Sequence, residues 1–299
     1  RRATVKLGEE LLLLDPGRLA PVLDCLLEAG ALSVTLEDAG DEPLLEPGVG
    51  QTPLWRDLRV TGLFRADTDM APILIALQAL PGGDAALVEI LEDKDWEREW
   101  MQHYQPMRFG QNLWICPSWL EPPDPEAINL LLDPGLAFGT GTHPTTALCL
   151  EAIGEIAPAG QRVVDFGCGS GILGIAAARL GATAVMAIDN DPQALTATWD
   201  NAGRNGIGKD CLSVYLPGDY PRQSWRGTAE LVVANILAGP LAELADELCD
   251  LLAPGGTLLL AGLLDTQMSA LIDVYAPRLS LRERARCEEW VCLEGKNVQ

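Results

Sequence analysis

"VVDFGCGSGILGIAA", Val163 to Ala177, decides how the rest of this chain is read. It opens on a short apolar run that suits a strand buried on both faces. The run ends at Asp165, and Gly167, Gly169 and Gly171 follow at once. Glycines there let the backbone turn sharply and approach a ligand at the carboxyl edge of a sheet. An apolar helix over 171–180 then carries the chain away. Strand, glycine turn and helix together are one unit of an open α/β sheet.

The unit recurs downstream. "AVMAID" (184–189) leads into a helix over 191–204. "CLSVYL" (211–216) and "AELVVANIL" (229–237) precede a helix over 240–253, and "GTLLLAGL" (256–263) precedes one over 265–275. Strands alternating with helices predict a mostly parallel sheet with helices on both faces. Two late strands, near 279–286 and 287–293, predict an antiparallel addition at one edge. Upstream, Pro144 starts a helix that runs to about Ala157. "LWICPSW" (113–119) and "EAINLLLDPG" (126–135) read as a β-hairpin pair leading into the loop "AFGTGTHPTT" (137–146).

Residues 1–91 give β-α-β-β-α-β, the order of a small α+β ferredoxin-like sandwich, with nothing catalytic in its pattern. Next comes "EDKDWEREWMQHYQPM" (92–107), where Trp96, Trp100 and Tyr104 recur every four residues. That spacing predicts a linking helix with a packed aromatic stripe. The remainder, 108–299, is the α/β domain.

Bulk properties narrow the function. The chain has 299 residues, with 43 acidic against 21 basic and a formal net charge of −22. Nucleic-acid affinity rests on Lys and Arg neutralising phosphates, so this balance opposes an RNA partner and favours a basic protein. Eight cysteines without a C-x-x-C pair suit a reducing cytoplasm. Two histidines, His103 and His143, offer no metal-ligand spacing, so no metal is expected. No apolar run is long enough for a membrane span. The opening "RRATVKLGEE" lacks the apolar region and cleavage site of a secretory signal. It also lacks an initiator Met and is expected to start inside the natural chain.

The cofactor follows from the charges around the glycine turn. Read literally, Gly169-Ser170-Gly171-Ile172-Leu173-Gly174 also fits the dinucleotide fingerprint. Its glycines, however, begin four residues past the end of the strand at Asp165. The region carries Asp165, Asp189 and Asp191, with no Lys or Arg from Val163 to Ala178. A pyrophosphate is poorly served there. S-adenosylmethionine has no phosphate, and its sulfonium and ammonium suit nearby carboxylates. Asp189 ends the next strand about twenty residues on, where an acid accepts hydrogen bonds from ribose hydroxyls. Asn235 ends another strand at the same edge, placed either to form a turn or to accept a hydrogen bond from the nitrogen being methylated. Thr142 or His143 caps the helix that begins at Pro144. Its N–H groups and the Thr145 and Thr146 hydroxyls are expected to face outward and hold a carboxylate, with Gly139 and Gly141 folding the loop over the cofactor.

"DPGLAFGTGTHPTT", "DFGCGSGIL", "AIDNDPQA" and "VVANILAGPL", with "EDKDWEREW" and "MRFG" upstream, resemble the PrmA family over nearly the whole chain. These are bacterial methyltransferases of the eleventh large-subunit ribosomal protein. The resemblance implies a Rossmann-like class I methyltransferase domain behind the small domain. It implies a cytoplasmic enzyme that moves methyl groups from S-adenosylmethionine to lysine side chains and the α-amine of that protein. It also implies an N-terminal domain that grips the substrate. Carried over by motif, the cofactor touches Thr146, Gly167, Asp189 and Asn235, with Gly169 in the same turn. Asn235 then positions the amine as well. A class I methyltransferase acting on RNA or a small molecule shares "DFGCGSG" and is the alternative.

Overall fold

The computed structural model describes residues 2–7, 16–40, 52–55, 57–80, 86–91, 104–133, 139 and 141–298. The chain divides into two compact units, Arg1–Met101 and Gln102–Gln299.

In the first unit the elements run β1 (Arg2–Leu7), α1 (Pro16–Glu28), β2 (Ser33–Asp38), β3 (Leu58–Arg65), α2 (Ala71–Gln78) and β4 (Ala86–Leu91). The strands form an antiparallel sheet in the order β2-β3-β1-β4. Alternation along β3 buries Leu58, Val60 and Phe64 on one face. That face packs with Leu19, Val22 and Leu26 of α1 and Ile73 and Leu77 of α2. Each such side chain contributes about 1.5–3 kcal/mol when removed from water. The aromatic stripe expected at 92–107 lies mostly outside the described residues. Tyr104, Gln105 and Pro106 are irregular, and Met107 already belongs to a strand.

The second unit opens with a small sheet of β5 (Met107–Phe109), β6 (Leu113–Cys116) and β7 (Ile128–Leu131). The expected hairpin between 113–119 and 126–135 is corrected here: β6 pairs with β7 in parallel, Leu113 opposite Ile128. The hairpin partner of β6 is β5. Segment 117–127, with Pro117, Pro122, Pro123 and Pro125, is too stiff for a hairpin turn. It is long enough to carry the chain back to the start of β6.

The main sheet holds β8 (Arg162–Phe166), β9 (Ala184–Ile188), β10 (Leu212–Tyr215), β11 (Ala229–Asn235), β12 (Leu252–Leu264), β13 (Leu281–Cys287) and β14 (Trp290–Lys296). Their order is β10-β9-β8-β11-β12-β14-β13. The first five are parallel. β14 runs antiparallel to both β12 and β13, so it lies one strand in from the edge that β13 forms. Adjacent residues of one strand feed opposite cores. Val163 packs on one face with α3 (Pro144–Ile156) and α4 (Ile172–Arg179), while Val164 packs on the other with α7 (Ala238–Glu243), α8 (Ala245–Leu251) and α9 (Asp265–Tyr275). Burial on both faces is why these strands read as continuous apolar runs. Between them in sequence lie α5 (Pro192–Arg204) and the short α6 (Arg222–Trp225).

The single helix expected over 240–253 is two, α7 and α8, joined at Leu244. Leu241 and Leu248, on either side of that junction, are both completely buried. Among the described residues no helix is long and apolar enough to cross a membrane. From β8 the chain winds one way to β9 and β10, and then returns to β11 on the other side. That reversal is the position where open α/β sheets hold ligands, at the carboxyl ends of β8 and β11.

Candidate active site

The glycine turn after β8 is strained in the direction only glycine tolerates. Gly167 has φ 78° and Gly171 has φ 79°. A Cβ on Gly167 would overlap Ile236 Cγ2, so the turn and the segment after β11 are in direct contact. The Gly167 and Cys168 N–H groups donate to Ile188 O at 2.8 and 3.0 Å, tying the turn to the end of β9. Asp189 completes the tie. Its Oδ2 accepts from Gly169 N at 2.8 Å and its Oδ1 from Asp191 N at 3.0 Å. The turn is braced from behind as well: Thr198 Oγ1 donates to Gly169 O and Asn201 Nδ2 to Ser170 O. Ser170 Oγ donates to Gly139 O at 2.5 Å, which fastens the threonine-rich loop to the same turn.

His143 is the N-cap of α3, and its Nδ1 accepts from Thr145 N at 3.3 Å. Nδ1 also lies 2.8 Å from Thr145 Oγ1. The ring meets Trp290 edge-on, with centroids 4.9 Å apart. Burial lowers the His143 pKa, which keeps the imidazole neutral. With Nδ1 accepting a backbone N–H, the neutral ring carries its proton on Nε2 and acts as a cap, not a base.

Thr145 and Thr146, expected to turn their hydroxyls outward, are both buried. Thr145 still lines the cavity, but Thr146 does not. Thr146 stands one layer behind, where its Oγ1 accepts a hydrogen bond from Asn235 Nδ2 at 3.3 Å. The reason is the register of α3: the helix begins at Pro144, so its third residue points back into the sheet. The consequence for Asn235 is direct. Its Nδ2 is engaged, while its Oδ1 is buried and finds no hydrogen-bond partner among the described residues.

These groups surround a cavity of about 660 Å³. Gly167, Gly169, Asp189 and Asn190 line it, and Ile236, Leu237, Pro240 and Trp290 add apolar and aromatic surface alongside Asn235. Of the site residues expected from sequence, Gly167, Gly169, Asp189 and Asn235 therefore meet in one space, and Thr146 supports it from behind. Sequence reasoning missed Trp290 and Gly262. Gly262 had a signal, a lone glycine inside an apolar strand. It has φ 85°, and a Cβ there would lie 2.7 Å from the Ile236 carbonyl carbon. Trp290 had none, because only the antiparallel path of β14 brings its first residue to this edge.

S-adenosylmethionine fits this donor set. The glycines leave a cradle that a side chain would fill, and Asp189 sits at the end of β9. No Lys or Arg is among the described lining residues, so a pyrophosphate would meet no counter-charge, whereas a cationic cofactor without phosphate needs none.

Asp165, beneath the turn, is fully buried. Its Oδ2 accepts from Gly174 N at 2.8 Å, and its Oδ1 has no partner among the described residues. Burial raises its pKa to about 7, against the lowering by the Gly174 N–H and with a further rise from Asp189. The folded carboxyl therefore holds a proton between about pH 4 and 7 that the unfolded chain releases. Its contribution to stability is present at low pH and is lost as pH rises through 7. Asp165→Asn removes this titration. Thermal melts should show the variant gaining on the native chain from pH 5 to 8, with a flat difference above that; a difference constant over the whole range would refute the assignment.

The chain matches the family model described as "Ribosomal protein L11 methyltransferase (PrmA)" over residues 14–298. It is 51% identical over 280 residues to the ribosomal protein L11 methyltransferase of Teredinibacter turnerae, covering 93% of this chain and 92% of the relative. The Vibrio cholerae protein of the same name is 54% identical over 274 residues, covering 91% and 92%. Among solved structures, the ribosomal protein L11 methylase of Lactobacillus delbrueckii subsp. bulgaricus superposes with a TM-score of 0.57 at 33% identity, covering 66% of this chain and all of that one. With the glycine cradle, the carboxylate at the end of β9 and the amide at the end of β11 in place, the chain belongs to the ribosomal protein L11 methyltransferase family and is a methyltransferase that uses S-adenosylmethionine.

Proposed function

We propose that this enzyme methylates amino nitrogens of ribosomal protein L11, on lysine side chains and on the α-amine. The observation that carries the reading is Asn235 Oδ1, a buried acceptor without a partner among the described residues at the carboxyl end of β11. A buried acceptor left unpaired costs about 1–3 kcal/mol, so the site favours a substrate that brings an N–H donor.

When bound, S-adenosylmethionine supplies a methyl group on a sulfonium, open to in-line attack. The chain's own residues orient and desolvate the nucleophile. Asn235 Oδ1 accepts one amine N–H and so aims the nitrogen lone pair. Thr146 and the contact of Ile236 with Gly167 and Gly262 hold that amide in place. Fixing two reactants this way supplies much of the acceleration such a displacement needs. A free lysine has a pKa of about 10.4 and must lose a proton first. The apolar wall of Ile236, Leu237 and Trp290 disfavours the charged amine, and the proton leaves to water. His143, capping α3 through Nδ1, takes no proton in this scheme.

The net charge of −22 suits a basic ribosomal protein and opposes direct contact with RNA. Residues 1–91 would grip the substrate, 92–107 link, and 108–299 catalyse, in the cytoplasm where ribosomal proteins are made. The test is mass spectrometry of purified ribosomal protein L11 after incubation with enzyme and S-adenosylmethionine, beside naked ribosomal RNA. Methyl increments on the protein and none on the RNA are expected. Methylated RNA, or neither substrate modified, would overturn the substrate assignment.

A further inference from the structure

We propose that Glu243 captures the substrate's ammonium at the mouth of the cavity and delivers it to Asn235. This rests on the reading that the substrate is a protein amine. Leu237, Pro240, Glu243 and Leu244 recur at three- and four-residue spacing, which turns one face of α7 and its junction with α8 toward the cavity. That face is apolar except for Glu243.

Two carboxylates are among the described lining residues, and they differ in how they are engaged. Asp189 accepts two backbone N–H groups. Glu243 is exposed and makes no hydrogen bond or ion pair among the described residues. The next carboxylates along the chain behave otherwise. Asp246 and Asp250 pair with Arg278, Asp250 also with Arg226, and Glu247 with Arg222. Those three acids, which follow Glu243 along the chain, each have an arginine, and Glu243 on the cavity wall does not. No Lys or Arg is among the described lining residues, and burial lowers the pKa of the one histidine there. An incoming ammonium therefore meets Glu243 as its one uncommitted counter-charge among the described lining residues.

Capture and transfer need opposite protonation states. A carboxylate beside an amine favours the charged form, whereas attack on a methyl group requires the neutral one. Glu243, in contact with solvent, suits the first. Asn235, whose Oδ1 is buried and uncharged, suits the second. Moving inward, the ammonium gives one proton to water and arrives as a free amine. Glu243 thus acts on substrate affinity and leaves the chemical step to Asn235.

Glu243→Gln tests this in steady-state kinetics with purified ribosomal protein L11, reading α-amine methylation by mass spectrometry. At neutral pH and low salt, KM should rise about two- to fivefold, with kcat and S-adenosylmethionine affinity unchanged, in the range of an exposed ion pair. Glu243→Asp should recover part of the loss. The gap should narrow with added salt, and also as pH rises past about 8, where an α-amine loses its charge. An unchanged KM in an otherwise active enzyme would overturn the assignment to Glu243 alone. So would a KM defect indifferent to pH and salt, which is the mark of a packing role. A native enzyme inactive on L11 would instead remove the substrate reading, and the role of Glu243 with it.

Discussion

Asn235→Ala should lower kcat by roughly 10²–10³-fold, the loss seen when a single preorganised polar contact to a reacting group is removed. The amide is held in advance of any substrate: Nδ2 donates to Thr146 Oγ1, and Oδ1 is buried at the cavity wall. Truncation leaves the amine with nothing to fix its lone pair. The cofactor cradle, built mainly from Gly167, Gly169 and Asp189, remains, so affinity for S-adenosylmethionine should fall less than the rate. Single-turnover methyl transfer beside calorimetric titration separates the two. Asn235→Asp sharpens the test. It keeps an acceptor but adds a charge that favours the ammonium, so its rate should be low at pH 7 and climb as pH rises. A kcat loss below tenfold in the alanine variant would show that the amide does not orient the amine.

Gly167→Ala should abolish measurable cofactor binding, with affinity down by more than about 100-fold, roughly 2.7 kcal/mol. The residue has φ 78°, and the added methyl would overlap Ile236 Cγ2. Relief requires either the turn or Ile236 to move, and each forms part of the cavity. Overpacking and the backbone penalty should each cost about 1–3 kcal/mol of stability. Gly110→Ala is the control. It too has positive φ, at 59°, but nothing lies within 4 Å of its added methyl. It should carry only the backbone cost and leave cofactor binding intact. Equal losses of affinity in both variants would mean that strain, not the contact with Ile236, governs the site.

The parts of this molecule that were legible in advance are those encoded by neighbouring residues. Val163 to Ala177 specifies strand, turn and helix through its own apolar run and glycines, and β9 with Asp189 follows by the same logic. Asn235 could be placed because the end of a strand in an alternating α/β sheet is a defined position. The failures share one cause. Whether β6 and β7 run parallel depends on where segment 117–127 takes the chain, and nothing within either strand records it. The break of 240–253 at Leu244 falls between Leu241 and Leu248, both fully buried in one core, and no glycine or proline at 244 marks it in the sequence. The Thr145 and Thr146 hydroxyls are expected to face outward because threonine suits a helix N-terminus, yet the rotation of α3 about its axis buries both. Trp290 was invisible because its role comes from a strand that enters the sheet backwards.

That reversed strand has a consequence for the order in which the protein becomes competent during synthesis. β14 inserts between β12 and β13, and its first residue, Trp290, closes the aromatic side of the cavity. A nascent chain that has completed β8, β9, β11 and β12 includes the cradle, the amide and Gly262, but it still lacks that wall and the strand that joins β13 to the sheet. The ribosome must therefore translate almost the whole of this sequence before the enzyme can act on a ribosomal protein, so partial chains that bind the cofactor should still fail to transfer its methyl group.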